Sequence, residues 1–131
     1  MPQDKGLVWA MTVLELLAGI GLLLLPGLSL GLLLGIPNAA PEALGISRLA
    51  GVALIALGVM CHSGAAGFIS WWVLAGMLVY NVGAAAVLAY IGAGLGLSGP
   101  LLWPAVLLHA ALAIWVLISL RTVAYTSSNK R

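Results

Sequence analysis

Charged side chains are scarce in this sequence: 6% of its 131 residues are Asp, Glu, Lys or Arg, whereas 63% are hydrophobic. A water-soluble domain carries about 25% charged residues because its surface faces water. The composition therefore excludes a soluble globular domain and a disordered segment. The single cysteine, Cys61, excludes an intrachain disulfide. What is abundant instead is apolar, and the mean hydropathy of +1.20 indicates an integral membrane protein.

Four apolar runs are long enough to cross a bilayer, which takes about 20 helical residues. They cover residues 7–25, 46–61, 71–91 and 101–120. Pro26 and Gly27 interrupt the chain after the first run, and residues 28–36 would form only about 14 Å of helix, too short to span. We therefore predict an all-α integral membrane four-helix bundle in a single transmembrane domain, 1–131, with an interfacial helical segment at 27–36.

Glycine is abundant, with 17 copies in 131 residues. Small residues let membrane helices approach closely, so the excess indicates tight helix packing. Gly27, Gly31 and Gly35 are spaced four apart and would form one stripe of a helix. Two interpretations stay open for this stripe: it packs against a neighbouring helix, or its glycines loosen a loop.

Orientation follows from the few cations. The positive charges are Lys5, Arg48, Arg121, Lys130 and Arg131, against the negative charges Asp4, Glu15 and Glu42. Four of the five cations flank the termini, and cytoplasmic segments carry the excess of Lys and Arg. An even number of spans places both termini on one side, so we predict a multi-pass protein with both termini in the cytoplasm.

Polar side chains inside the spans are costly in lipid and mark candidate sites. At about 1.5 Å per residue, Glu15, Asn81 and His109 fall at one level near the midplane. Arg48 lies nearer the outer face, with a side chain long enough to reach towards Glu15. We predict an intramembrane polar cluster of Glu15, Arg48, Asn81 and His109. It would either hold the helices in register through hydrogen bonds or form a site in which Glu15 exchanges a proton with His109 while Asn81 orients a quinone head group.

No motif in the sequence identifies an enzyme. There is no Walker loop, nucleophile elbow or HExxH pattern, and Cys61 beside His62 does not make a zinc site. We therefore predict no catalytic residue, no metal site and no cofactor, with a quinone as the one open alternative. Whether the chain is an enzyme stays undecided by sequence, with a non-catalytic role favoured.

Several stretches together carry a resemblance. They are Leu14-Glu15-Leu16-Leu17, Ser47-Arg48-Leu49-Ala50-Gly51, Tyr80-Asn81, and Leu102-Trp103-Pro104 with His109. In this pattern the chain resembles small four-helix proteins of the bacterial inner membrane and is distantly similar to DoxX-like proteins. The resemblance implies a four-helix bundle in the bacterial inner membrane and, for DoxX-like proteins, an association with quinone-linked redox complexes. Arg48, Asn81 and His109 are the positions that both the resemblance and the buried-polar argument single out.

The leading functional prediction is a small accessory or structural subunit that packs against a larger membrane complex or against itself. The expected partners are the lipid bilayer and other membrane-protein subunits or further copies of the chain, and not nucleic acid. Two alternatives remain: a quinone-linked redox or proton-coupled small-molecule site within the bundle, or a small transporter.

Overall fold

A computed structural model describes residues 5–65 and 71–128 of the chain. All its regular structure in these ranges is helical. The helices are α1 (Lys5–Leu24), α2 (Pro26–Leu34), α3 (Pro41–Ala65), α4 (Trp71–Leu95) and α5 (Leu102–Ser128).

The four long helices are long and apolar enough to cross a membrane. The predicted all-α four-helix membrane fold is confirmed. The helices exceed the predicted spans, most clearly at α3, which begins at Pro41 rather than at residue 46. Helix α3 begins earlier because proline suits the first helical turn and Glu42 in that turn lies at the positive end of the helix dipole.

The short helix α2 lies between the end of α1 and the start of α3. It begins at Pro26 and ends where Gly35 takes up a left-handed conformation (φ 73°, ψ 21°) and donates its amide to the Gly31 carbonyl. The amides of Gly99 and Leu101, in the connection between α4 and α5, bind the carbonyls of Leu33 and Leu32 at 3.0 and 2.9 Å. Carbonyls that a helix end leaves without intrahelical partners are satisfied in this way.

The long helices pack as two pairs, α1 with α3 and α4 with α5. Glycine permits the close approach of α1 and α3, since a Cβ on Gly19 would lie 2.8 Å from the Gly51 carbonyl oxygen. The Ser47 hydroxyl adds a hydrogen bond of 3.4 Å to the Leu22 carbonyl across the same contact. The two pairs contact each other less extensively.

The hydrophobic core joins the two pairs near the start of α1 and the end of α5. It draws buried residues from all four long helices: Leu7, Met11, Cys61, Leu74, Met77, Leu112, Val116 and Leu120. Towards α2, the inward positions of α4 and α5 are half-buried, as at Ala84, Leu88 and Ala105. The polar residues of the spans lie at the edge of this hydrophobic core that faces α2.

Candidate functional site

Glu15 lies on the inward face of α1 and is only 2% exposed. It belongs to a stripe of buried α1 residues that also holds Met11 and Gly19, each four positions away. The Tyr80 hydroxyl on α4 donates a hydrogen bond to its carboxyl group. The Glu15 carboxyl group thus has its hydrogen-bond partner on a neighbouring helix rather than in solvent.

Asn81, the next residue on α4, is fully buried and links α4 to α5. Its Nδ2 donates to the Met77 carbonyl oxygen at 2.8 Å, and its Oδ1 lies 2.9 Å from Nδ1 of His109. The reverse amide orientation would set Oδ1 against the Met77 carbonyl oxygen, so the network fixes Oδ1 towards the histidine. Since Oδ1 only accepts hydrogen bonds, Nδ1 of His109 carries the proton.

His109 closes the chain of contacts back to Tyr80. The two rings meet edge to face, with centroids 5.6 Å apart at an interplanar angle of 86°, a favoured arrangement for ring pairs. In the neutral imidazole with a protonated Nδ1, Nε2 is a hydrogen-bond acceptor. Glu15, Tyr80, Asn81 and His109 therefore form one connected set across α1, α4 and α5, which we call the polar cluster.

Three of the four predicted cluster residues come together, and Arg48 does not. It lies on an exposed face of α3, and no ion pair joins it to Glu15 within the described part of the chain. Antiparallel packing sets this part of α3 beside Leu22, about two turns from Glu15 along α1, because its neighbour Ser47 contacts the Leu22 carbonyl. Arg48 thus lies outside the polar cluster.

Tyr80 is the member that sequence reasoning did not single out as a site residue. Tyrosine in a span commonly lies near the membrane interface, where its ring is apolar and its hydroxyl is hydrated. Tyr80 instead lies ten residues into α4. A tyrosine in mid-span beside Asn81 was the available signal, since a buried hydroxyl needs a partner.

Two of the three glycines in the predicted stripe lie within α2, and the third ends that helix. Gly27 and Gly31 lie in α2, where the nearest neighbour of an added Cβ would be Pro37, at 3.6 and 3.4 Å. Gly35 is the left-handed residue that ends α2 and approaches the Ser98 carbonyl oxygen. The stripe thus faces mainly the connections around α2, although the Leu44 side chain of α3 also lies 4.0 Å from an added Cβ on Gly27.

Two further buried polar groups lie close to the polar cluster. Cys61 on α3 is fully buried and close enough to interact electrostatically with Glu15. Thr12, one turn before Glu15 on α1, is 2% exposed, and its hydroxyl has no hydrogen-bond partner in the described structure. Within the described ranges, no group of three or more His, Cys, Asp or Glu is placed to hold a metal ion.

Fold and site together define a small multi-pass helical protein of a membrane with a buried polar cluster in mid-span. Comparison with protein-family models, curated proteins and solved structures finds no match to the chain. The resemblance to DoxX-like proteins accordingly stays a prediction.

Proposed function

We propose that the chain is an accessory subunit that works through helix contacts within the bilayer, against a larger membrane complex or a second copy. The observation that carries this proposal is the outward face of α4. Gly76 and Gly83 are exposed there, and an added Cβ on either would meet nothing within 4 Å. Membrane helices associate through such small residues because backbones can then approach closely.

The distribution of the described residues supports the same proposal. The connections at 35–40 and 96–101 are short, so these segments add little surface beside the membrane. Val79, 74% exposed, lies between the two glycines on the α4 face. A partner helix on this face would replace lipid by close van der Waals contact, which is what drives association in a bilayer.

Extraction in mild detergent tests the proposal. We expect the wild-type chain to copurify with other membrane subunits or as a homo-oligomer. Gly83→Leu should weaken that association, because its side chain would stand where the partner backbone approaches. Gly45→Leu is the matched control, since Gly45 on α3 is also exposed with open space around it. A monomer without partners, both in detergent and in native membranes, would contradict the proposal.

A second candidate function, a site for a quinone head group, is favoured by the neutral tautomer of His109 that carries its proton on Nδ1. The bond to Asn81 leaves Nε2 as an acceptor, and a quinol hydroxyl is a donor that would suit it. Asn81→Leu and His109→Phe should each abolish quinone binding if the site operates, while Ser98→Ala in an exposed connection should not. Unchanged quinone binding in both cluster variants would exclude this function.

A further inference from the structure

A buried acid without a basic partner is the most unusual group in this bundle. Glu15 is 2% exposed, Arg48 lies on an exposed face of α3, and Lys5 is exposed at the start of α1. The titratable groups that face Glu15 from the packed helices are Cys61 on α3 and Tyr80 on α4, with His109 of α5 behind Tyr80. None of these supplies a fixed positive charge, and an unpaired charge is very costly in an apolar interior.

A second buried polar side chain, that of Thr12, lies one turn before Glu15 on α1. Its hydroxyl is buried and unpartnered in the described structure, although buried polar groups nearly always have a partner. Residues three apart share a helix face, and long helical side chains lean back towards the N-terminus. The Glu15 side chain is therefore directed towards the turn that carries the unpartnered Thr12 hydroxyl.

We propose that Glu15 is an intramembrane proton-binding site in which Thr12 and Tyr80 supply hydrogen bonds to the carboxyl group. The carboxylate takes a proton from a hydronium ion of the aqueous phase, which leaves a carboxylic acid and a water molecule. Tyr80 donates a hydrogen bond to the carboxyl group. The Thr12 hydroxyl, which has no partner in the described structure, would donate a second one when the carboxyl group is ionised. This inference goes beyond the accessory role and holds whichever partner the chain has.

Reaction with a membrane-permeant carbodiimide tests the site in the full chain. Dicyclohexylcarbodiimide modifies protonated carboxyl groups in apolar surroundings, and peptide mass spectrometry locates the adduct. We expect an adduct on Glu15 that declines as the pH rises and is lost in Glu15→Gln. Glu42, exposed in the first turn of α3, is the internal control and should stay unmodified. No adduct on Glu15 at any pH, or equal modification of Glu42, would overturn the proposal.

The pH at which half of Glu15 reacts separates proton binding from a purely structural role of its neighbours. Thr12→Val removes a donor to the ionised carboxylate, so the midpoint should move upward by about one pH unit, the equivalent of one hydrogen bond to a charged group. Thr12→Ser keeps the hydroxyl and should restore the wild-type midpoint. An unchanged midpoint in Thr12→Val would contradict the role of Thr12. Protection by sodium ions at constant pH would overturn the proposal in favour of a metal-ion site.

Discussion

At the scale of single residues, the contact between α1 and α3 depends on two glycines that face each other. A Cβ on Gly51 would lie 2.7 Å from both the Gly19 carbonyl oxygen and the Leu23 amide nitrogen. Both are backbone atoms, which cannot move without shifting the helix. The absence of side chains here brings the helix axes together and brings Ser47 within reach of the Leu22 carbonyl.

We expect Gly51→Ala to lower the free energy of unfolding by about 1–3 kcal/mol, the usual cost of overpacking. Gly45→Ala, on the same helix, is the control because nothing lies within 4 Å of its added Cβ. Alanine there should be neutral or slightly stabilising. Unfolding of both variants in mixed detergent micelles, followed by circular dichroism, measures the difference. Equal losses for the two variants would show that the close approach does not determine stability.

The bond between Asn81 and His109 is short, but hydrogen bonds between membrane helices contribute little on average. Coupling energies in such proteins average about 0.6 kcal/mol and reach about 1.7. A double-mutant cycle of Asn81→Leu and His109→Phe should give a coupling in this range, because both partners are inside the bundle. A cycle of Asn81→Leu with Ser98→Ala should give none, since distant sites are additive. Zero coupling in the first cycle would show that this hydrogen bond does not contribute to the stability of the fold.

At the scale of elements, hydrogen bonds from the connection between α4 and α5 help to stabilise the short helix α2. Its last carbonyls accept amides from the connection between α4 and α5, with Gly99 pressed against the turn of Gly31 and Leu32. Nine residues of helix are marginal alone. The connection and α2 therefore stabilise each other.

Gly99→Ala should release α2 from that connection. An added Cβ would lie 2.6 Å from the Gly31 carbonyl oxygen and nearer still to that of Leu32. We expect faster hydrogen exchange at the Leu101 amide, whose acceptor is the Leu32 carbonyl. The neighbouring Ser98→Ala, at an exposed position, should leave this exchange unchanged. The interpretation fails if Leu101 stays equally protected in both variants.

The helical elements could be predicted from sequence because the length of a span and the residues that interrupt it are local properties. Pro26 sets the break after α1, and the apolar runs match α4 and α5 closely at their starts. The predicted start of α3 at residue 46 is wrong because Pro41 and Glu42 suit both a turn and a first helical turn. The common level of Glu15, Asn81 and His109 also followed from counting residues along each span.

Rotation about the helix axes could not be predicted, and it decides the composition of the polar cluster. A reach of Arg48 towards Glu15 was possible by length, but α3 presents Arg48 on an exposed face and turns Ser47 inward. Tyr80 and Asn81 are adjacent on α4, yet only Tyr80 reaches Glu15 on α1, while both contact His109 on α5. That arrangement depends on where three helices meet, which no single span encodes.

At the scale of the whole molecule, two helix pairs are joined by the core near the start of α1, by the polar cluster in mid-span and by the connection around α2. The turn at Asn38 and the connection at Ser98 lie at the same end of the bundle, since the Gly99 amide donates to the Leu33 carbonyl at 3.0 Å. Lys5, at the start of α1, lies at the other end, about 30 Å away for a helix of 20 residues.

The cation distribution predicts that the end with Lys5 faces the cytoplasm, and cysteine labelling in intact cells tests this for the molecule as a unit. Cys61 is fully buried, so the parent chain should give only background with a membrane-impermeant maleimide. Asn38→Cys and Ser98→Cys should both react from outside, because both positions are exposed. Lys5→Cys should react only after the membrane is permeabilised. Labelling of Lys5→Cys in intact cells would reverse the orientation, and opposite behaviour of the Asn38 and Ser98 variants would contradict four spans.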